Sequence, residues 1–445
     1  MTEVRLPRIA FTTLGCKVNQ SETDLLARQF AAAGYRCVAF EDSADVYVVN
    51  TCTVTHVADR KSRQVLNDAR RTNPNALVVA TGCYASIAGD ALGGDRTLVI
   101  RNRDKDRVVE LVDGRLRRET PASPSFTELD KYLEISGGQD RTRATVKAQD
   151  GCDSHCAYCI IPRARGRSRS VPPDAVVRRV RALAVEGHAE VVITGVDLGS
   201  YGEDDPSFPD LGGLLRRVLL ETDVPRVRVS SVEPGDFNLQ WLDVWRETRM
   251  CRHLHVPLQA GSAGVLHRME RKYAPREFAA MVDACRAAIP GVTITTDVIT
   301  GFPGETEDEF EEGRAFIAAM RFDGMHVFKY SQRSGTRAAR LPDQVPERVK
   351  ATRSELLRTE AIAGVDRLLG RHVGAVASIA WEAERGGIRQ GTTDTNVRVY
   401  GPAEGTTRGA LHRLRLVFPY RDGLWADPLH PEITLLPTSG ATAQH

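Results

Sequence analysis

Two long stretches of this chain alternate short apolar runs with amphipathic helical patterns, and this alternation restricts the fold more than any other feature. Over residues 8–100 the strand-like runs are Ile9–Leu14, Val46–Asn50, Leu77–Ala80 and Thr97–Ile100. A helix is expected over Glu22–Ala33, with Ser21 as its N-cap and Gly34 just past its end. A second is expected over His56–Arg71, closed by Asn73-Pro74. Strands separated by helices build parallel sheets with helices on both faces. Residues 115–137 are polar and broken by Pro121 and Pro124, which reads as a linker.

The alternation resumes over residues 138–335. Its strand-like runs are Ala144–Gln149, Val191–Gly195, Arg226–Ser231, His253–Leu258, Thr293–Thr300 and Met325–Ser331, with helices at Pro173–Glu186, Arg276–Ile289 and Thr306–Met320 among those between them. Six such units predict a barrel or partial barrel, with its active site at the C-terminal ends of the strands. Residues 346–369 read as one helix. Beyond Gly370, the runs Val373–Ala380, Thr395–Tyr400 and Leu411–Phe418 read as a small all-β module. The expectation is an α/β chain: a doubly wound parallel-sheet domain at 7–118, a (β/α)6 partial barrel at 138–368 and a small all-β barrel at 371–437.

Composition excludes some alternatives. At 42% hydrophobic and 27% charged residues the chain is an ordinary globular one. Its N-terminus has no apolar signal region, and no uncharged apolar run is long enough to span a bilayer, so a cytoplasmic protein away from the membrane is expected. A net charge of +2 neither demands nor excludes a nucleic-acid partner. Nine cysteines, an odd number without a secretion signal, argue against a disulfide framework and for metal or redox chemistry.

The cysteines fall into patterns. Cys152, Cys156 and Cys159 form C-x3-C-x2-C directly after the first strand of the six-unit domain. Iron–sulfur clusters are held by cysteine thiolates, and three ligands leave one iron of a four-iron cluster open. Zinc is the alternative, with His155 or a distant residue as fourth ligand. Cys16, Cys52 and Cys83 are far apart in sequence, but each follows a strand-like run of the N-terminal sheet, and loops at such ends converge. The alternative for these three is core packing, the usual role of free cysteine. Cys37, Cys251 and Cys285 lack partners at ligand spacing.

The C-x3-C-x2-C with Tyr158 before its last cysteine resembles the signature of the radical S-adenosylmethionine (SAM) superfamily. The segments TLGCKVNQSE, NTCTVT and TGC around Cys16, Cys52 and Cys83 resemble the N-terminal domain of the methylthiotransferases within it. The segments from Ile160 to Pro162, Arg165 to Ser170, Thr194 to Gly202, Ser230 to Pro234, His253 to Gln259 and Asp297 to Thr306 carry the resemblance through the barrel. It implies two 4Fe-4S clusters: one on Cys152, Cys156 and Cys159 that cleaves SAM reductively, and one on Cys16, Cys52 and Cys83 that carries the inserted sulfur. It also implies SAM contacts from Tyr158, Gly195, Glu233, Gly301 and Gly304. Each has a bland reading as well: Gly301 to Gly304 is a turn into a capping box, and Glu233 is placed to pair with an arginine. His253 and His255 are expected on opposite sides of their strand, at most one toward the pocket.

Seven arginines and one acid lie between Ile160 and Arg181. Arg163, Arg165, Arg167 and Arg169, beside the second cysteine set, suit an RNA backbone or else form a solvated face. The C-terminal module weakly resembles a TRAM domain, an RNA-binding β-barrel. The implied partners are a tRNA anticodon stem-loop, a flavodoxin- or ferredoxin-type electron donor and a sulfur donor. Among the branches, LGCKVNQSETD and NTCTVTHVADRKSRQ most resemble the enzymes acting on N6-threonylcarbamoyladenosine at tRNA position 37, over those acting on isopentenyladenosine or a ribosomal-protein aspartate. Arg163 and Asp197 stand where Tyr and Asn would be expected. A zinc-dependent RNA-binding protein is the alternative of a different class.

Overall fold

The computed structural model describes residues 6–116 and 142–427. Most of the expected linker, and domain boundaries at 118, 138 and 437, lie outside the described residues. The chain forms two compact units: residues 6–116 with 149–175 and 331–339, and residues 142–148, 176–330 and 340–427.

The first unit opens with β1 (Arg8–Thr13), α1 (Lys17–Ala32), β2 (Arg36–Val38), β3 (Val46–Thr51), α2 (His56–Thr72), β4 (Leu77–Gly82), α3 (Cys83–Ala88), β5 (Thr97–Val99) and α4 (Val108–Leu116). The strands form one parallel sheet in the order β2-β1-β3-β4-β5. Every residue of β3 and β4 is buried, as central strands covered on both faces require. Alternate side chains supply two cores. Ile9, Val46, Val48 and Val79 pack with Leu26, Phe30, Val108 and Val112 from α1 and α4. Tyr47, Val49, Val78 and Ala80 pack with Leu66 and Ala69 from α2 on the other face. Fully burying a side chain such as Phe30 contributes about 2–3 kcal/mol.

Helix α1 starts at Lys17, with Cys16 and not Ser21 at its N-cap. The early start was hidden because Asn19, Glu22 and Thr23 face inward, which a polar–apolar pattern assigns to solvent. The short edge strand β2 has no apolar run to announce it.

The second unit contains β6 (Arg143–Lys147). The chain then passes through β7 (Gln149–Asp150), α5 (Ile161–Arg165) and β8 (Arg169–Ser170) of the first unit. It continues as α6 (Pro173–Val185), β9 (Glu190–Thr194), α7 (Leu211–Glu221), β10 (Val227–Val229), β11 (His253–His255), α8 (Ala263–Arg268), α9 (Pro275–Ala288), β12 (Thr293–Thr300), α10 (Glu307–Met320) and β13 (Gly324–Lys329). The strands form two parallel three-stranded sheets, β6-β9-β10 and β11-β12-β13, joined by a parallel bridge between Ser231 and His255. This is the expected six-stranded partial barrel.

Helix α11 (Glu347–His372) leads into a closed barrel of β14 (Val376–Arg385), β15 (Ile388–Thr393), β16 (Arg398–Pro402), β17 (Leu411–Tyr420) and β18 (Gly423–Asp427). Its core holds Trp381, Ile379, Val399, Leu414 and Leu416, with Leu368 and Leu369 of α11 packed in. Sequence reading missed β15 and β18, whose polar and glycine-containing stretches lack a strand signature. The closed barrel docks on the N-terminal ends of the partial-barrel strands. Glu190, Arg226 and Arg228 form a buried ion cluster there, with Glu190 bonded to both guanidiniums at 2.6 Å. Arg228 donates onward to the Thr393 carbonyl at 2.8 Å, and Arg226 to that of Ser378 at 3.2 Å. Burial opposes the Glu190 charge, but Arg228 and Arg226 outweigh it and hold its carboxyl well below the usual range.

Candidate metal centre

Cys16, Cys52 and Cys83 follow the C-terminal ends of β1, β3 and β4, three neighbouring parallel strands. Their loops are cross-braced. Asn19 donates to the Leu14 carbonyl at 2.8 Å and to that of Thr51 at 3.1 Å. Thr51 donates from Oγ1 to the Thr81 carbonyl at 2.5 Å and accepts from the Ala85 amide at 3.0 Å. Ser62 of α2 bonds both the amide and the carbonyl of Cys52. Gly15 has φ +94°, and a Cβ there would lie 2.8 Å from the Cys52 Sγ. Gly82 has φ +93°, and its Cβ would lie 2.4 Å from the Thr51 carbonyl oxygen. Both positions need glycine for conformation and for room.

Cys152, Cys156 and Cys159 lie in the loop between β7 and α5 of the same unit. The Cys152 amide donates to the Gly166 carbonyl at 3.1 Å, and the Cys159 amide to that of Cys156 at 3.0 Å. The Ser154 amide points at the Cys152 Sγ at 3.4 Å. A strap formed by residues 331–339 holds the loop: the Ala338 amide donates to the Ala157 carbonyl at 2.8 Å, and Arg337 donates to that of His155 at 3.1 Å. The strap is anchored by buried Arg333, which bonds Thr53 at 2.7 Å and Asp59 at 2.6 Å next to Cys52. Tyr158 is half-buried beside Cys159.

Arg165, at the end of α5, joins the two cysteine regions. Its side chain is 1% exposed. It donates to Glu22 at 2.9 Å, Asp150 at 2.7 Å and Asn19 at 2.5 Å, and its Nε lies 3.3 Å from the Cys83 Sγ. Lys105 adds a second buried cation, 2.5 Å from Glu22. Burial works against the Arg165 charge, but Glu22, Cys83 and Asp150 outweigh it and keep it protonated. Burial lowers the Lys105 pKa, against the pull of Glu22. Burial pushes the Cys52 thiol up to about 11. Cys16 is exposed as a residue, while the protein around its thiol raises its pKa and the Arg165 charge lowers it.

Does this region fit an iron–sulfur cluster? Cys16, Cys52 and Cys83 follow three adjacent strands, and a Cβ on Gly15, next to Cys16, would lie 2.8 Å from the Cys52 Sγ. The glycine at 15 leaves space beside the Cys52 sulfur, and N–H donors from Arg165 and Asn102 point at Cys83, the latter at 3.8 Å. Ligation needs deprotonated thiols, which buried cationic donors favour. Among the described residues no group of three His, Cys, Asp or Glu closes around a single-ion position. A four-iron cluster held by three cysteines keeps one iron free of protein ligands. The donor set and its surroundings fit that group.

In the second unit, Gly195 follows β9, Glu233 follows β10, and Gly301 and Gly304 follow β12, all at C-terminal strand ends. Glu233 pairs with the buried guanidinium of Arg271. The Gly301 amide donates to Glu305 at 2.6 Å, and Gly304 is bracketed by Asp343 and Arg268. Thr306 and Glu309 form the expected capping box of α10. His253 and His255 both reach the Thr295 hydroxyl, at 3.0 and 2.9 Å. The expectation of opposite sides is therefore corrected: strand residues two apart share a face. Arg165 likewise leaves the set of RNA-facing arginines because it is buried, whereas the side chain of Arg167 is 90% exposed. Sequence reading missed Glu22, Lys105 and Arg333 as site residues. No local signal marked them: Lys105 lies in the charged run RNRDKDR, and Glu22 and Arg333 lie among polar residues.

Residues 8–99 match an uncharacterized protein family, UPF0004, and residues 146–317 match the radical SAM superfamily. The chain is 37% identical to the threonylcarbamoyladenosine tRNA methylthiotransferase MtaB of Bacillus subtilis, over 96% of this chain and 98% of that protein. It is 38% identical to the MtaB of Aquifex aeolicus over 79% of this chain and 87% of that one. A tRNA-2-methylthio-N(6)-dimethylallyladenosine synthase of Methylacidiphilum infernorum is 31% identical over 95% of each chain. Among solved structures, the radical SAM methyltransferase TsrM of Kitasatospora setae shares the fold, at TM-score 0.52 and 16% identity over 73% of this chain and 75% of that one.

Proposed function

We infer the reaction from one premise: the chain belongs to the tRNA methylthiotransferase family of the radical SAM enzymes. Within it, the chain converts N6-threonylcarbamoyladenosine at position 37 of tRNA into its 2-methylthio derivative. Three relatives carrying that activity in their names match at 37–38% identity and two at 32%, against 31–35% for three dimethylallyladenosine synthases. The observation that carries the reading is the presence of two cysteine triads in one compact unit, braced by a shared set of buried side chains.

Cys152, Cys156 and Cys159 would hold one 4Fe-4S cluster, and Cys16, Cys52 and Cys83 the other, each with an iron free of protein ligands. When bound, these groups and SAM supply what side chains lack: reductive generation of a radical, and sulfur for transfer. The chain's own part is positioning. The cross-braced loops fix the first triad, and the 331–339 strap fixes the loop of the second. An adenosine held between them reacts because its carbon 2 is confined near both, which removes the entropy cost of encounter. No acid–base pair is required of the protein. Exposed Arg167 and the exposed arginines of α2 suit the tRNA backbone, and the C-terminal barrel is assigned a supporting RNA contact. A small electron-transfer protein and a sulfur donor complete the cycle.

Mass spectrometry of tRNA nucleosides from cells with and without this protein tests the assignment. The methylthio form of threonylcarbamoyladenosine should disappear without it. Loss of the methylthio form of isopentenyladenosine instead would reject the substrate and favour the related branch.

A further inference from the structure

The second cysteine triad is followed at once by α5, and the last residue of that helix, Arg165, ends on the first triad. Four observations make this contact more than an ion pair. The side chain is 1% exposed, so it has no solvent or RNA partner. Its Nη atoms are already engaged by Glu22, Asp150 and Asn19, which fix the guanidinium plane. The remaining Nε–H points at sulfur, 3.3 Å from the Cys83 Sγ, and not at a carboxylate. Lys105 already sits against Glu22, so two acids and two bases are matched before any thiolate is counted. A planar guanidinium can serve carboxylates and sulfur together, which a lysine cannot.

Resting on the two-cluster reading above, we propose that Arg165 is a positioning residue that sets the reduction potential of the centre on Cys16, Cys52 and Cys83 through its Nε–H bond to the Cys83 sulfur. Hydrogen bonds to cluster sulfurs and nearby charge are main determinants of such potentials, because they stabilise the more electron-rich reduced state. Asn102, whose Nδ2 lies 3.8 Å from the same sulfur and 2.9 Å from the Ala164 carbonyl, is the weaker second donor. The arrangement gives one side chain two tasks: it ties the loop following one triad to the other, and it tunes the second of these.

The test uses the full chain with Cys152, Cys156 and Cys159 all changed to alanine, so that only the first triad carries iron. Its midpoint potential is measured by anaerobic redox titration followed by electron paramagnetic resonance. Arg165→Lys keeps the positive charge but loses the fixed Nε–H. We expect the reduction equilibrium constant to fall about tenfold, a shift of about 59 mV to more negative potential for a one-electron couple. Asn102→Ala should shift it the same way by less, and it decides the question should Arg165→Lys fail to fold. Potentials equal to the parent's in every variant that loads a cluster overturn the role of Arg165 and leave the two-cluster reading intact. A triple-alanine parent that takes up no iron–sulfur cluster overturns that reading itself.

Discussion

At the scale of single residues, the proposed roles of the six cysteines divide the chemistry. Cys52→Ala should keep SAM cleavage and lose methylthio transfer, whereas Cys156→Ala should lose both. Quantifying 5′-deoxyadenosine and modified nucleoside in parallel checks this, and full product from the Cys52 variant would refute the assignment of two centres. Gly82 gives a steric test. Its φ of +93° and a Cβ placed 2.4 Å from the Thr51 carbonyl leave no relaxed conformation for alanine. Gly82→Ala should destabilise the protein by more than about 1 kcal/mol in denaturant titration, and iron uptake should fall with it. The cysteine pattern itself was legible because ligand spacing and strand ends are local features. The partners of those cysteines were not: Glu22 lies 143 positions from Arg165, and no local pattern joins them.

At the scale of elements, the closed β-barrel is held to the partial barrel by buried charge. Glu190 faces both Arg226 and Arg228, and these reach the carbonyls of β14 and β15. Glu190→Gln removes the anion and leaves two cations buried together, so it should cost about 3–5 kcal/mol in urea unfolding. The pH dependence follows the same logic. The folded pKa of Glu190 lies below its unfolded value, so its contribution is complete above about pH 4.3. It is lost as pH falls from there toward the depressed folded value. Acidification should therefore destabilise the parent more steeply than Glu190→Gln, as thermal melts across that window would register. This bolt was invisible in sequence because Glu190, Arg226 and Arg228 read as ordinary charges at strand starts. Only the docked barrel removes them from water.

At the scale of the whole molecule, anaerobic purification should yield brown protein with about eight irons per chain, four for each cluster. Colourless protein with zinc would instead support an RNA-binding role without catalysis. The alternation of strands and helices and the position of Cys16, Cys52 and Cys83 after strands were set by the sequence, because backbone periodicity and chain punctuation are encoded within a few residues. The inward face of Asn19, Glu22 and Thr23, the burial of Arg165 and the strap carrying Arg333 were settled only in three dimensions. A charged side chain is stable away from water only where its counter-charges gather around it, and that gathering is a property of the folded chain.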